Sequence, residues 1–265
     1  MKKTFLTLLV AGMLPSWLVA QSQEPELNTE RPSFSQSPVV VPRGTLQIET
    51  GLQYQQSESG AIQTKEYMYP DALLRLGILE WAELRLHADY KKEHQHREGP
   101  GPEQPAPDVS GFEQVQVGAK IHLFDGKGAL PAIGVLGNVT LPVGQQDLRP
   151  AHAAPEGWLL FENKLSEKVD LEYNAGYRKR KDQEEYRGEA VYAVAATAAL
   201  TDKFAFFVEF YGMKAKAAAP ENTVDGGILV KLRPNLQWDL NGGTGLSHEA
   251  PQLYVATGLT WRIPR

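Results

Sequence analysis

The stretch from Asp71 to Tyr90, DALLRLGILEWAELRLHADY, leaves a chain few options. Two runs of strict alternation are joined by Leu79-Glu80-Trp81-Ala82. Leu74, Leu76 and Ile78 share one face of the first run, and Leu84, Leu86, Ala88 and Tyr90 share one face of the second. The opposite faces carry Leu73, Arg75 and Gly77, then Glu83, Arg85, His87 and Asp89. Successive side chains of a strand point to opposite faces, so one face is wholly apolar and the other holds nearly all the charge. Such a hairpin fits a water-soluble sheet that buries its apolar face. It equally fits a transmembrane barrel that turns that face to lipid and its charged face to a lumen.

The same alternation returns from Gly44 to the C-terminus. Leu46, Ile48, Thr50, Leu52 and Tyr54 oppose Gln47, Glu49, Gly51, Gln53 and Gln55; Val115, Val117, Ala119, Ile121 and Leu123 oppose Gln114, Gln116, Gly118, Lys120 and His122. Similar runs cover 133–141, 170–178, 204–211, 236–243 and 253–263. The clearest runs are about nine to eleven residues, the length that a tilted strand needs to cross a bilayer, where soluble strands cluster near five or six. Short connections at Glu80-Trp81, Asp125-Gly126, Ser166-Glu167, Thr201-Asp202 and Pro234-Asn235 alternate with longer ones at 56–61, 91–111, 144–157, 179–188, 213–221 and 247–251. Aromatic residues fall near run ends, at Tyr54, Trp81, Tyr90, Trp158, Tyr177, Tyr192 and Trp261, where interfacial girdles belong. These features together predict an all-β fold: a transmembrane antiparallel β-barrel of about 12 strands, with short periplasmic turns and longer extracellular loops. A soluble β-sandwich is the alternative.

Composition sets limits on the rest. The chain has 265 residues and no cysteine, which excludes disulfides and thiolate metal sites. Residues 1–20, with Lys2 and Lys3 ahead of an apolar core and Ala20 at a cleavage position, read as a secretory signal peptide. Its removal takes two lysines and no acid, moving the formal charge from −5 to −7. An acidic exported chain without a basic patch is a poor nucleic-acid binder. Residues 21–43 form a proline-rich N-terminal tail, and residues 44–265 the barrel. The segment 91–111, rich in Pro, Gly, Glu and His, is expected to be the most mobile.

Particular words in the chain carry a family resemblance. Asn28-Thr29-Glu30-Arg31-Pro32 precedes Pro42-Arg43-Gly44 and then Gln47, Glu49 and Gly51. Arg75 and Gly77 lead to Trp81, Glu83 and Arg85; Gly118 and Lys120, Leu141-Pro142-Val143-Gly144, Tyr173-Asn174-Ala175-Gly176-Tyr177, Glu209, Gly226-Gly227 and Gln237-Trp238-Asp239 follow. In this order they resemble the transporter-like outer-membrane barrels named for the MetA pathway of phenol degradation, over Thr29 to Ile263. Two departures are Glu30, where the pattern has Asp, and the C-terminal Trp261-Arg262-Ile263-Pro264-Arg265, which lacks a terminal aromatic residue. The resemblance implies an outer-membrane barrel with a transport role and an undefined substrate.

Catalytic patterns are weak. A barrel phospholipase needs serine and histidine on the lipid-facing wall, yet parity turns His87 and His122 inward and leaves His94, His96, His152 and His248 in loops. No catalytic residue, metal site or cofactor is assigned. The informative residues are the inward charges: eight acids (Glu49, Glu83, Asp89, Glu162, Glu172, Glu209, Asp225, Asp239) against seven bases (Arg75, Arg85, Lys120, Lys164, Arg178, Lys231, Arg262). With His87 they line either a narrow polar pathway or a plugged bore, and their balance predicts no strong ion selectivity. Arg31 is expected to fold back with the tail into the lower lumen and pair with an inward carboxylate, Glu49 or Glu209 first; a periplasmic tether is the alternative. The expected role is passage of an unknown small solute across a Gram-negative outer membrane, with outer-membrane lipid and the outer-membrane assembly machinery as partners. A structural or adhesion barrel, then a lipid-modifying enzyme, are the alternatives.

Overall fold

The computed structural model describes residues 25–97, 108–146, 148–182 and 185–263. The signal peptide, the tip of the segment 91–111 and the last two residues lie outside the described residues. Twelve strands follow one another: β1 (Leu46–Ser59), β2 (Ile62–Leu79), β3 (Ala82–Arg97), β4 (Val109–Phe124), β5 (Ala132–Thr140), β6 (Ala154–Lys164), β7 (Val169–Asp182), β8 (Glu185–Thr201), β9 (Phe204–Ala215), β10 (Glu221–Arg233), β11 (Leu236–Gly245) and β12 (Leu253–Arg262). Each pairs antiparallel with its chain neighbours, and β1 pairs with β12 to close the barrel. Closure leaves no free edge, which matters in lipid, where an unpaired backbone group has no water to turn to.

Burial follows the alternation. Leu76, Leu86, Val117 and Val208 stand outward at 42–54% exposure, while their neighbours Arg75, Glu83, Lys120 and Glu209 are 0–1% exposed inside. At the outer rim Tyr69, Tyr90 and Phe112 form a chain of ring contacts, with centroids 6.3 and 5.5 Å apart. Trp81 and Trp261 stand exposed near the short-turn mouth.

Three sequence expectations need correction. β2 and β8 run to 18 and 17 residues. Where longer loops were expected at 56–61 and 179–188, the strands instead continue toward the hairpin tips, because backbone above the bilayer still gains from ladder pairing. The connection expected at Asp125-Gly126 runs from 125 to 131 and carries a small bridge between Lys127 and Leu130. Trp158 belongs to no girdle. It pairs with Leu136 across β5 and β6 on the inward face and is 8% exposed.

The lumen has two unlike walls. β1–β4, β11 and β12 present charge, whereas Leu136, Trp158, Leu160 and Val191 on β5, β6 and β8 form an apolar cluster joined by Met213.

Candidate functional site

The chain before β1 does not hang free. Residues 25–43 form a strap that rises from the short-turn mouth, crosses the lumen and returns to β1. An extended, proline-broken segment has no ladder of its own, so its buried N–H groups need acceptors from elsewhere. The wall supplies them as carboxylates. Glu49 Oε2 accepts the N–H groups of Glu30 and Arg31 at 2.9 and 3.1 Å. Glu209 accepts those of Phe34 and Ser35 at 2.7 and 2.6 Å. Glu83 accepts that of Val41 at 2.7 Å, and the Asn174 carbonyl that of Gln36 at 2.6 Å. Bonds of this kind to a charged acceptor are about twice as strong as neutral ones. Strap carbonyls are met in turn, Val39 by Arg75 at 3.2 Å and Ser37 by Lys120 at 2.7 Å.

Two strap side chains complete wall clusters. Arg75, Arg85 and Lys120 lie close to Glu49 and Glu83; the strap adds Glu30, whose Oε1 meets Arg75 Nη2 at 3.2 Å, Arg85 Nη1 at 3.5 Å and the Lys120 ammonium. Three cations then face three carboxylates, which compensates charges that would be costly to bury singly. Arg31 reaches Asp71 at 2.6 Å and Asp239 at 3.5 Å. Its side chain therefore pairs with neither Glu49 nor Glu209, which hold the strap backbone instead. Phe34 settles on the apolar wall, stacked on Tyr211 at 4.5 Å and edge-on to Trp158 at 5.7 Å.

The remaining predicted lumen residues are dispersed. His87 bonds Asp71 at 2.8 Å. Arg178 pairs with Glu189 on the far wall. Asp225 accepts from Tyr254. Arg262 holds the carbonyls of Pro25 and Glu26 at 2.7 and 3.0 Å, and Glu172 lines the lower cavity. At the mouth, a 2.8 Å hydrogen bond from Lys231 holds the Glu26 carboxyl below its usual range. Asp71 and Glu30 were missed by sequence reasoning; parity with Leu73 and Arg75 already turns Asp71 inward.

Two cavities flank the strap. The upper one, of about 340 Å³, lies toward the outer mouth between the charged wall and Phe34, Trp158 and Tyr211. The lower one, of about 740 Å³, opens among Lys164, Lys168, Lys203 and Lys231. They share Arg31, Pro32 and Ser33 as their common lining.

Comparison with known proteins shows the family. The model of the family described as "Putative MetA-pathway of phenol degradation" matches residues 29–263. The chain belongs to this family. The matched range takes in the strap from Thr29 as well as all twelve strands, so this member of the MetA-pathway family matches it over strap and barrel alike. Among solved structures, an outer membrane channel from Pseudomonas putida F1 is similar in fold, with TM-score 0.66, 11% identity, and 90% of this chain and 100% of that chain covered. The translocator domain of the autotransporter NalP from Neisseria meningitidis gives TM-score 0.52 at 10% identity over 83% and 88%. The beta domain of the Bordetella autotransporter BrkA gives 0.51 at 9% over 82% and 98%. No curated protein matches the sequence.

Proposed function

We propose that this MetA-pathway barrel is an outer-membrane channel for a small polar solute, held closed by its own N-terminal strap. The observation that carries this reading is the septum: one three-residue span of the strap, Arg31-Pro32-Ser33, stands between an outer and a periplasmic cavity. A barrel of this size falls between those filled by side chains and those that leave an aqueous pore, so one strap is enough to decide whether it conducts. Once the strap leaves, Glu49, Arg75, Glu83, Arg85, His87, Lys120, Glu172, Arg178, Glu209, Asp225, Asp239 and Arg262 would line the bore with polar groups, which suits a hydrated solute. Export through the signal peptide of residues 1–20 and insertion by the outer-membrane assembly machinery complete the proposal. Deleting residues 25–36 tests it. Single-channel current through the full chain in planar bilayers should be small, and the deletion should raise it severalfold. Equal currents from the two forms would reject the strap as closure, and no current from either would reject passage itself.

A further inference from the structure

Four strands place an acid, two glycines and a second acid in one row. Asp71 on β2 pairs with Gly51 on β1, Gly51 with Gly258 on β12, and Gly258 with Asp239 on β11. All four face the lumen. With strands ≈ 4.8 Å apart, the two aspartates bracket a slot whose floor is bare backbone. The Arg31 guanidinium lies in it. A Cβ at Gly51 would collide with its Nη2, and one at Gly258 with its Nε. The slot is therefore shaped to a planar cation.

Arg31 fills the slot without satisfying it. Asp239 is 0% exposed, and neither of its carboxylate oxygens accepts a hydrogen bond; the nearest cation is Arg31 Nη2, at 3.5 Å. Arg31 Nε is buried and donates to nothing. A buried carboxylate without donors is costly, and a cation with better-placed N–H groups would relieve it. The upper cavity leads to this point. Its lining includes Arg31, Asp71, Asn241 and the rings of Tyr254, Tyr211 and Phe34.

We infer that the Asp71–Gly51–Gly258–Asp239 row is the solute-recognition site, that it takes an organic cation with a planar amidinium or guanidinium head and an aromatic or apolar body, and that Arg31 is its built-in competitor. The inference rests on the channel reading above. An entering cation displaces Arg31, its body lies against the aromatic wall, and the strap loses the side-chain contact that ties Arg31 to the charged wall. Passage is then coupled to recognition, since the group that closes the route occupies the site that the solute needs.

The test uses the full mature chain in detergent and in planar bilayers, with benzamidinium as probe and benzamide and benzoate as neutral and anionic controls of the same shape. Phe34, three residues along the strap, lies edge-on to Trp158 at 5.7 Å, so a strap shift on displacement should change the tryptophan emission, with Trp158→Phe identifying the signal. Benzamidinium alone should shift the emission and raise the current. Arg31→Gln vacates the slot and should lower the half-saturating concentration about ten-fold, the worth of one charged hydrogen bond. Asp239→Asn should raise it by a similar factor. Three probes acting alike, or an unchanged half-saturation in Asp239→Asn, would overturn the inference, and the second readout stands even if Arg31→Gln does not assemble. A strap-deleted barrel that conducts while showing no preference for benzamidinium would sink the site and leave the channel standing. A barrel silent in every form would sink the channel, and the emission titration would still decide the site.

Discussion

The two walls of one lumen hold the same strap by different physics. On β1–β4, β11 and β12 the contacts are directional: Arg75 alone bonds Glu83 at 2.9 Å, Glu49 at 3.0 Å and the strap's Glu30 at 3.2 Å. On β5, β6 and β8 the contacts are broad: Phe34 lies against Leu136, Trp158, Leu160 and Val191 with no geometry more demanding than shape. Directional bonds therefore specify where the strap sits, those of Glu209 on β9, Asn174 on β7 and Glu162 on β6 included, and the apolar cluster adds adhesion there. A buried ion cluster depends on every member being present, whereas apolar packing tolerates substitutes of similar volume.

The contrast is tested hardest at its centre. Arg75→Met removes the cation between three carboxylates and should destabilise the barrel by about 3–5 kcal/mol, read as the urea midpoint of the refolded protein. A loss under about 1 kcal/mol would mean that the cluster is solvated and the contrast false. Arg75→Lys is the sharper version. One ammonium cannot reproduce the fork that reaches Glu83, Glu49 and Glu30, so the change should still cost about 1.5–3 kcal/mol. Leu160→Met on the opposite wall should cost less than about 1.5 kcal/mol. A reversed order in the same urea titration would show that the apolar wall is the discriminating one. The smallest effect is on selectivity. Among the described residues, eight buried carboxylates stand against five buried cations, Glu30 and Glu189 joining the acids. The balance expected from sequence thus tilts toward acid, and reversal potentials in a salt gradient should lie modestly on the cation side.

The same contrast explains what could be read from the chain. Strands of the charged wall announce themselves, because Gln47, Glu49 and Gly51 or Glu83, Arg85 and His87 alternate with aliphatics, and that alternation places their side chains inside. β8 does not. Val191, Ala193 and Ala195 face the lumen while Val194 faces out, so both faces are apolar and the period of two vanishes. Trp158 is hidden for the same reason: around it β6 is apolar on both faces, with Trp158 and Leu160 inward and Leu159 outward. The partner of Arg31 was out of reach on other grounds. Parity says which face a side chain takes, but the height at which Asp71 meets Gly51, and Gly258 meets Asp239, depends on register around the closed barrel. No single strand encodes that register.

The acid–glycine–glycine–acid row also has a kinetic meaning, because it crosses the junction between the first strand and the last. Gly51 and Gly258 come from opposite ends of the barrel sequence, in the β1–β12 ladder that is the most non-local strand pairing of the fold, the class of contact that forms late. The Arg31 slot does not exist until that junction has closed. Docking of Arg31 must then follow closure, and opening the junction requires Arg31 to leave first. Contacts absent from the transition state slow unfolding without changing the folding rate. The strap is thus a late clasp on the seam, one that lengthens the lifetime of the assembled barrel while leaving the speed of its assembly to the strands.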